Sequence, residues 1–129
     1  MTFRWARHTN QLNVIKIFYT DVLGLEVLGS FINHQGYDGV FLGKSEENWH
    51  IEFTQSEDNA SHAFDEDDLI VFYPNSQSEW EQLQSRLIQN NIQFIEAKNP
   101  YWNDQTISNS KMFLDPDGYR IVISDLKIK

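Results

Sequence analysis

The sequence contains no cysteine, and this absence excludes disulfides, thiolate metal sites and cysteine nucleophiles together. Basic residues are also scarce: 10 lysines and arginines stand against 19 aspartates and glutamates, so the formal net charge is −9. This charge repels nucleic-acid phosphates and anionic lipids, so we expect neither a nucleic-acid nor a membrane partner. No apolar run is long enough to span a membrane, and no apolar segment follows Arg4 and Arg7 to form a signal peptide. We therefore expect a cytoplasmic protein.

Aromatic residues, in contrast, are plentiful: 9 Phe, 5 Tyr and 4 Trp make up 14% of the 129 residues. This content predicts a folded chain with a dense core or a ring-lined pocket, and it argues against disorder. The length suits a single domain over residues 1–129.

The first half of the chain, about residues 1–55, predicts a strand, a helix and three further strands. Apolar residues recur at helical spacing between Asn10 and Leu23, and Gly24 follows where a left-handed residue would end the helix. The later strands are expected at 26–32, 37–42 and 49–54.

The same order restarts after a polar, acidic linker at about residues 56–67, in a second module at about 68–129. Ser76 and Glu79 form a capping box for a second helix, which we expect to end at Asn90 or Asn91. The apolar face of this helix is predicted to contain Trp80, Leu83, Leu87 and Ile88. Strands are expected at Leu69–Tyr73, Ile92–Ala97, Lys111–Leu114 and Tyr119–Asp125.

Two motifs together with this repeated order resemble the vicinal oxygen chelate superfamily, which covers glyoxalases, bleomycin-resistance proteins and extradiol dioxygenases. The motifs are the helix end Phe18-Tyr19…Leu23-Gly24-Leu25 and the turn Asp115-Pro116-Asp117-Gly118-Tyr119-Arg120. The resemblance implies an α+β fold in which two tandem βαβββ modules form a curved mixed sheet around a cleft. It further implies a small-molecule site in the cleft and a homodimer. Metalloenzymes of the superfamily bind a divalent ion there.

The resemblance places the usual metal-ligand positions on Arg4, Glu52, Asp68 and Val122. Arg4 is itself a cation and Val122 has no donor atom, so we predict no bound metal and no cofactor. Arg4 would then stand where the ion would be, with Glu52 or Asp68 as its counter-ion. A different metal set remains open, in which His8, His50, Glu52 and Asp68 converge; otherwise the two histidines are hydrogen-bonded residues of the cleft or its rim.

Tyr101 and Trp102 are neighbours in a loop, and they either close the cleft over a flat ligand or pack over a sheet edge or dimer contact. We predict no catalytic residue. The predicted ligand-binding residues are Arg4, His8, His50, Glu52, Asp68, Phe72, Tyr101 and Trp102. The predicted function is metal-free binding of a small aromatic or amphipathic molecule, as in drug sequestration, with Arg4 anchoring an acidic group. A divalent-metal lyase, isomerase or dioxygenase is the alternative.

Overall fold

The structure, a computed structural model, describes residues 1–128 and divides into two compact units, Met1–His62 and a second unit that begins at Ala63. The boundary falls within the predicted linker. Each unit has one α-helix and one mixed sheet, and neither sheet closes into a barrel. This arrangement confirms the predicted α+β class and the two related modules. Within the described residues, no helix has the length and apolar character needed to cross a membrane.

The first unit contains a four-stranded sheet in the order β1-β4-β3-β2. β1 pairs parallel to β4, and the remaining pairs are antiparallel. Helix α1 covers one face of this sheet, where the Tyr19 ring lies 4.9 Å from the Phe53 ring and both residues are fully buried. The elements are β1 (Phe3–His8), α1 (Leu12–Asp21), β2 (Glu26–His34), β3 (Tyr37–Gly43) and β4 (Trp49–Gln55).

The two ends of α1 are stabilised in different ways. Gly24 adopts φ 72°, as predicted, and the N–H groups of Gly24 and Leu25 donate to the carbonyls of Thr20 and Tyr19. At the other end, Gln11 provides no side-chain cap, and the N–H of Leu12 instead donates to Oε1 of Gln55 at 2.9 Å. A residue of β4 therefore performs the capping that the local sequence does not provide.

The second unit contains a three-stranded sheet in the order β5-β7-β6, with β5 parallel and β6 antiparallel to β7. Oγ of Ser76 accepts from the N–H of Glu79 at 3.1 Å, as the capping box predicts, although the Glu79 carboxylate accepts from Asn75 instead of Ser76. Asn91 is the left-handed residue after the helix, with φ 53°. The elements are β5 (Leu69–Phe72), α2 (Gln77–Gln89), a 3₁₀ helix (Pro100–Asn103), β6 (Ser110–Leu114) and β7 (Arg120–Ser124).

Two expectations for the second unit are wrong. Ile88 is not on the buried face of α2, because its side chain is 74% exposed whereas Leu87 is 1% exposed. Ile92–Ala97 does not form a strand and is reduced to a single bridge between Ile95 and Met112. One reason is that the amide of Asn103 bonds both the N–H and the carbonyl of Ala97, at 3.0 and 2.7 Å, so these groups are not available to a neighbouring strand.

Gly24→Ala tests the left-handed end of α1. A Cβ at positive φ clashes with the following carbonyl, so we expect a loss of about 1–2 kcal/mol in the free energy of unfolding. The matched control is Asn91→Gly, which places the favoured residue in the same conformation after α2 and should change stability by no more than about 0.5 kcal/mol. Urea denaturation measures the free energy of unfolding of both variants. Equal changes in the two variants would contradict the role of Gly24 as the left-handed residue that ends α1.

Candidate functional site

The register of β4 between β1 and β3 creates one distinctive sheet face. Glu52 of β4 is opposite Ala6 of β1 and Phe41 of β3, while His50 is opposite Arg4. Because side chains alternate along a strand, Glu52 points away from the face on which its neighbour Phe53 meets α1. The sheet face opposite α1 therefore combines charged and aromatic side chains.

An ion pair lies on this face. Nη1 of Arg4 is 3.6 Å from Oε1 of Glu52, and the guanidinium carbon of Arg4 lies 5.8 Å from the centre of the Phe41 ring. The side chain of Glu52 is 16% exposed and that of Arg4 is 52% exposed. Of the two counter-ions expected for Arg4, Glu52 is the one that the structure pairs with it.

A row of rings continues from the ion pair across β3 and β2. The Phe41 ring meets the His50 ring edge-on at 5.6 Å and lies 5.9 Å from the Phe31 ring, which in turn lies over Gly39. We call Arg4, Phe31, Phe41, His50 and Glu52 the aromatic face. Phe31 and Phe41 are not among the ligand-binding residues predicted from the sequence. Strand alternation could have found them, but only with the pairing of β3 and β4 already known.

His8 points to the same side of the sheet but has a local hydrogen-bonding role. Its Nδ1 lies 2.8 Å from Oγ1 of Thr54, and its Nε2 lies 3.2 Å from the carbonyl oxygen of Asp58. These bonds connect β1 to the end of β4 and the segment that follows it. The contacts fit the expected hydrogen-bonded histidine, while a role of His8 in ligand binding remains a prediction.

The second unit contains two of the positions that the resemblance gives to metal ligands, Asp68 and Val122. Asp68 is exposed, and its Oδ2 accepts from the N–H of Asp65 at 3.0 Å in the turn before β5. Val122 is fully buried in a cluster with Ala97 and Met112. Across residues 1–128, no three His, Asp or Glu side chains are grouped to hold a metal ion. Among the described residues of the first unit, His8, His50 and Glu52 are therefore not grouped to hold a metal ion, and the absence of a bound metal stays a prediction.

Tyr101 and Trp102 belong to the 3₁₀ helix and differ in their surroundings. Trp102 packs against the Val122 cluster, whereas Tyr101 is 39% exposed and meets the Trp102 ring edge-on at 4.9 Å. Phe72 is the neighbour of Val71, which packs against the same cluster, so Phe72 points to the opposite face of its sheet. Ligand binding by Phe72, Tyr101 and Trp102 remains a prediction.

The fold of two related α+β units and the family matches support a protein of the vicinal oxygen chelate superfamily. Within it, the YycE-like N-terminal domain matches residues 3–54, and the YycE-like C-terminal domain matches residues 67–125. The chain belongs to the YycE-like family. It is 38% identical over 125 residues to the uncharacterised protein YycE of Bacillus subtilis (strain 168), covering 96% of this chain and 87% of that protein.

Solved structures agree with this assignment. A crystal structure of a YycE protein of unknown function from Bacillus subtilis has a TM-score of 0.79 and 39% identity, with 95% of this chain and 87% of that chain covered. The trypanothione-dependent glyoxalase I of Leishmania major has a TM-score of 0.70 at 20% identity, covering 98% and 87%. TnmS3, an antibiotic-binding protein from Streptomyces sp. CB03234, has a TM-score of 0.66 at 14% identity, covering 96% and 93%. The last two likenesses show the fold alone.

Gly39→Ala tests the position of Phe31 on the aromatic face. The added Cβ would collide with three carbon atoms of the Phe31 ring, so the ring must move. We expect a loss of about 1–3 kcal/mol in the free energy of unfolding, with shifted NMR signals of the Phe31 ring protons. In the control Gly29→Ala, the new Cβ would lie 3.4 Å from the Phe41 ring, an ordinary contact, and the Phe31 signals should stay in place. Unmoved Phe31 signals in Gly39→Ala would contradict this geometry.

Asp104, which follows the 3₁₀ helix, provides a test of the loop by pH. The hydroxyl of Thr106, followed by its N–H, donates to the carboxylate and lowers the pKa of Asp104. These bonds therefore stabilise the loop above the unfolded-state pKa, and the stabilisation is lost as pH falls through the folded-state pKa. Thr106→Val should raise the pKa of Asp104 in a carbon-detected NMR titration, and an unchanged value would show that the hydroxyl bond is not formed.

Proposed function

We propose that this protein binds a small aromatic or amphipathic molecule that carries an acidic group, and that it does so without a metal ion. The aromatic face is the proposed site, with Arg4 as the anchor for the acidic group. The proposal includes a homodimer in the cytoplasm, with no nucleic-acid or membrane partner, on the grounds of the superfamily resemblance and the net charge of −9.

The observation that carries the proposal is the position of Arg4. A positive charge already occupies a place that the superfamily resemblance gives to a metal ligand, and the carboxylate of Glu52 lies beside it. Val122, which is buried in an apolar cluster, occupies a second position that the resemblance gives to a metal ligand. Metal binding would need to overcome both the repulsion of Arg4 and the lack of a donor at Val122.

Arg4 retains the capacity to bind a ligand. A guanidinium has five N–H donors in a planar fork, and the ion pair with Glu52 is a single contact at 3.6 Å. With the side chain half exposed, the remaining donors can meet a carboxylate in bidentate geometry. Phe41 provides a ring next to the guanidinium for the apolar part of the ligand, and Phe31 lies beside Phe41. The combination favours flat molecules with an acidic edge.

The fold is compatible with this role. Proteins with the same fold include both a glyoxalase and an antibiotic-binding protein, so the function has to be argued from the side chains of the site. Sequestration needs affinity without chemistry, and the aromatic face has rings and one anchoring cation for that purpose.

The test is ligand-dependent thermal unfolding in the presence of EDTA. We expect 2-naphthoate to raise the Tm and its neutral isostere 2-naphthamide to raise it less, because only the acid can use Arg4. Arg4→Gln should weaken naphthoate binding about tenfold and leave naphthamide binding as it was. The control Arg86→Gln makes the same chemical change on α2 and should behave like the parent protein.

Elemental analysis of the purified protein completes the test. We expect a metal content far below one ion per chain, and no rise in Tm on adding Zn²⁺, Mn²⁺ or Ni²⁺. Equal binding of naphthoate by the parent protein and Arg4→Gln would remove Arg4 as the anchor. Stoichiometric metal, with a Tm that falls in EDTA, would overturn the metal-free proposal.

A further inference from the structure

A second candidate binding site lies in the first unit, in a groove between α1 and the hairpin of β2 and β3. The groove has a volume of about 310 Å³, which is at the lower end of the range for small-molecule sites. We call it the helix groove. Since α1 forms one of its walls, it opens on a different part of the unit from Arg4 and Glu52, with Phe31 between the two regions.

The apolar part of the helix groove comes from both walls. Leu12 of α1 lines one wall, and Ile32 and Val40 of the hairpin line the other. The amide of Gln55, also at the groove, bonds within the protein: it accepts from the N–H of Leu12 and donates to the carbonyl of Asn10. The groove therefore offers a compact apolar surface for a ligand body, and its specificity depends on the charged residues around it.

Two opposite charges line this groove, Lys16 from α1 and Asp38 from β3. Lys16 is half-buried, and within residues 1–128 its ammonium makes no ion pair. Asp38 is exposed, and its Oδ1 accepts from the N–H of Asn33 at 2.8 Å, which positions the carboxylate. A half-buried ammonium and a positioned carboxylate recognise groups of opposite charge.

We propose that the helix groove binds a zwitterionic small molecule with a compact apolar body, of the kind that amino acids with apolar side chains represent. The ligand carboxylate pairs with Lys16, its ammonium pairs with Asp38, and its body packs on Leu12 and Val40. A simple anion would be repelled by Asp38 and by the net charge of −9, and a simple cation by Lys16. This inference is independent of the function proposed for the aromatic face.

The experiment is an NMR titration of the ¹⁵N-labelled protein with L-phenylalanine and 6-aminohexanoate, which separate their two charges by different distances. The single-charge analogues are 3-phenylpropanoate and 2-phenylethylamine. We expect at least one zwitterion to cause saturable chemical-shift changes of the amide signals of Asn13 and Ser30, two residues that line the groove. Both single-charge analogues should bind much more weakly. Lys16→Met and Asp38→Asn should each weaken zwitterion binding about tenfold.

Matched controls are Lys98→Met and Asp21→Asn, which make the same changes at exposed positions outside the groove and should bind like the parent protein. Arg4→Gln should also leave the groove titration unchanged, which separates this inference from the aromatic face. No binding of either zwitterion, or equal binding of 3-phenylpropanoate, would overturn the proposal. Shifts that persist unaltered in both Lys16→Met and Asp38→Asn would overturn it as well.

Discussion

The pairing of β4 with a strand on each side is the constraint on which the first unit depends. Its register with β1 and β3 places Glu52 next to Arg4 and Phe41 on one face, while Phe53 packs against Tyr19 of α1 on the other. A slip of one residue would exchange the two faces, burying the carboxylate under the helix and exposing the Phe53 ring. The register that forms the core therefore also forms the candidate site, and the two cannot vary independently.

The charged and apolar parts of the molecule have different roles. An ion pair at 3.6 Å with a half-exposed arginine adds little to stability. Its importance is in placing a planar donor beside the Phe41 ring. In the second unit, the Val122 cluster contributes burial and no polar chemistry. The two units thus use the same type of fold for different purposes: one face of the first sheet combines charge and rings, while the described cluster of the second unit is apolar.

Much of this fold could be predicted from the sequence because the signals are local. Gly24 after an apolar helical pattern indicated the end of α1, and Ser76 with Glu79 indicated the start of α2. The errors arose where distant residues decide. Ile92–Ala97 has the composition of a strand, yet the side chain of Asn103 takes the backbone groups of Ala97. The N-terminal cap of α1 likewise comes from Gln55, 43 residues further along the chain.

The candidate site shows the same division. The sequence by itself determined the superfamily and the two-module organisation. It also determined that a cation, Arg4, occupies a position that the resemblance gives to a metal ligand. These features depend on residue identity and short-range motifs. Only the tertiary structure decided that Glu52 pairs with Arg4 and that Phe41 adjoins this pair, with Phe31 beside Phe41. It also decided that Trp102 packs on the Val122 cluster. Strand register and loop packing bring together residues that are far apart in the chain, and no local pattern contains that information.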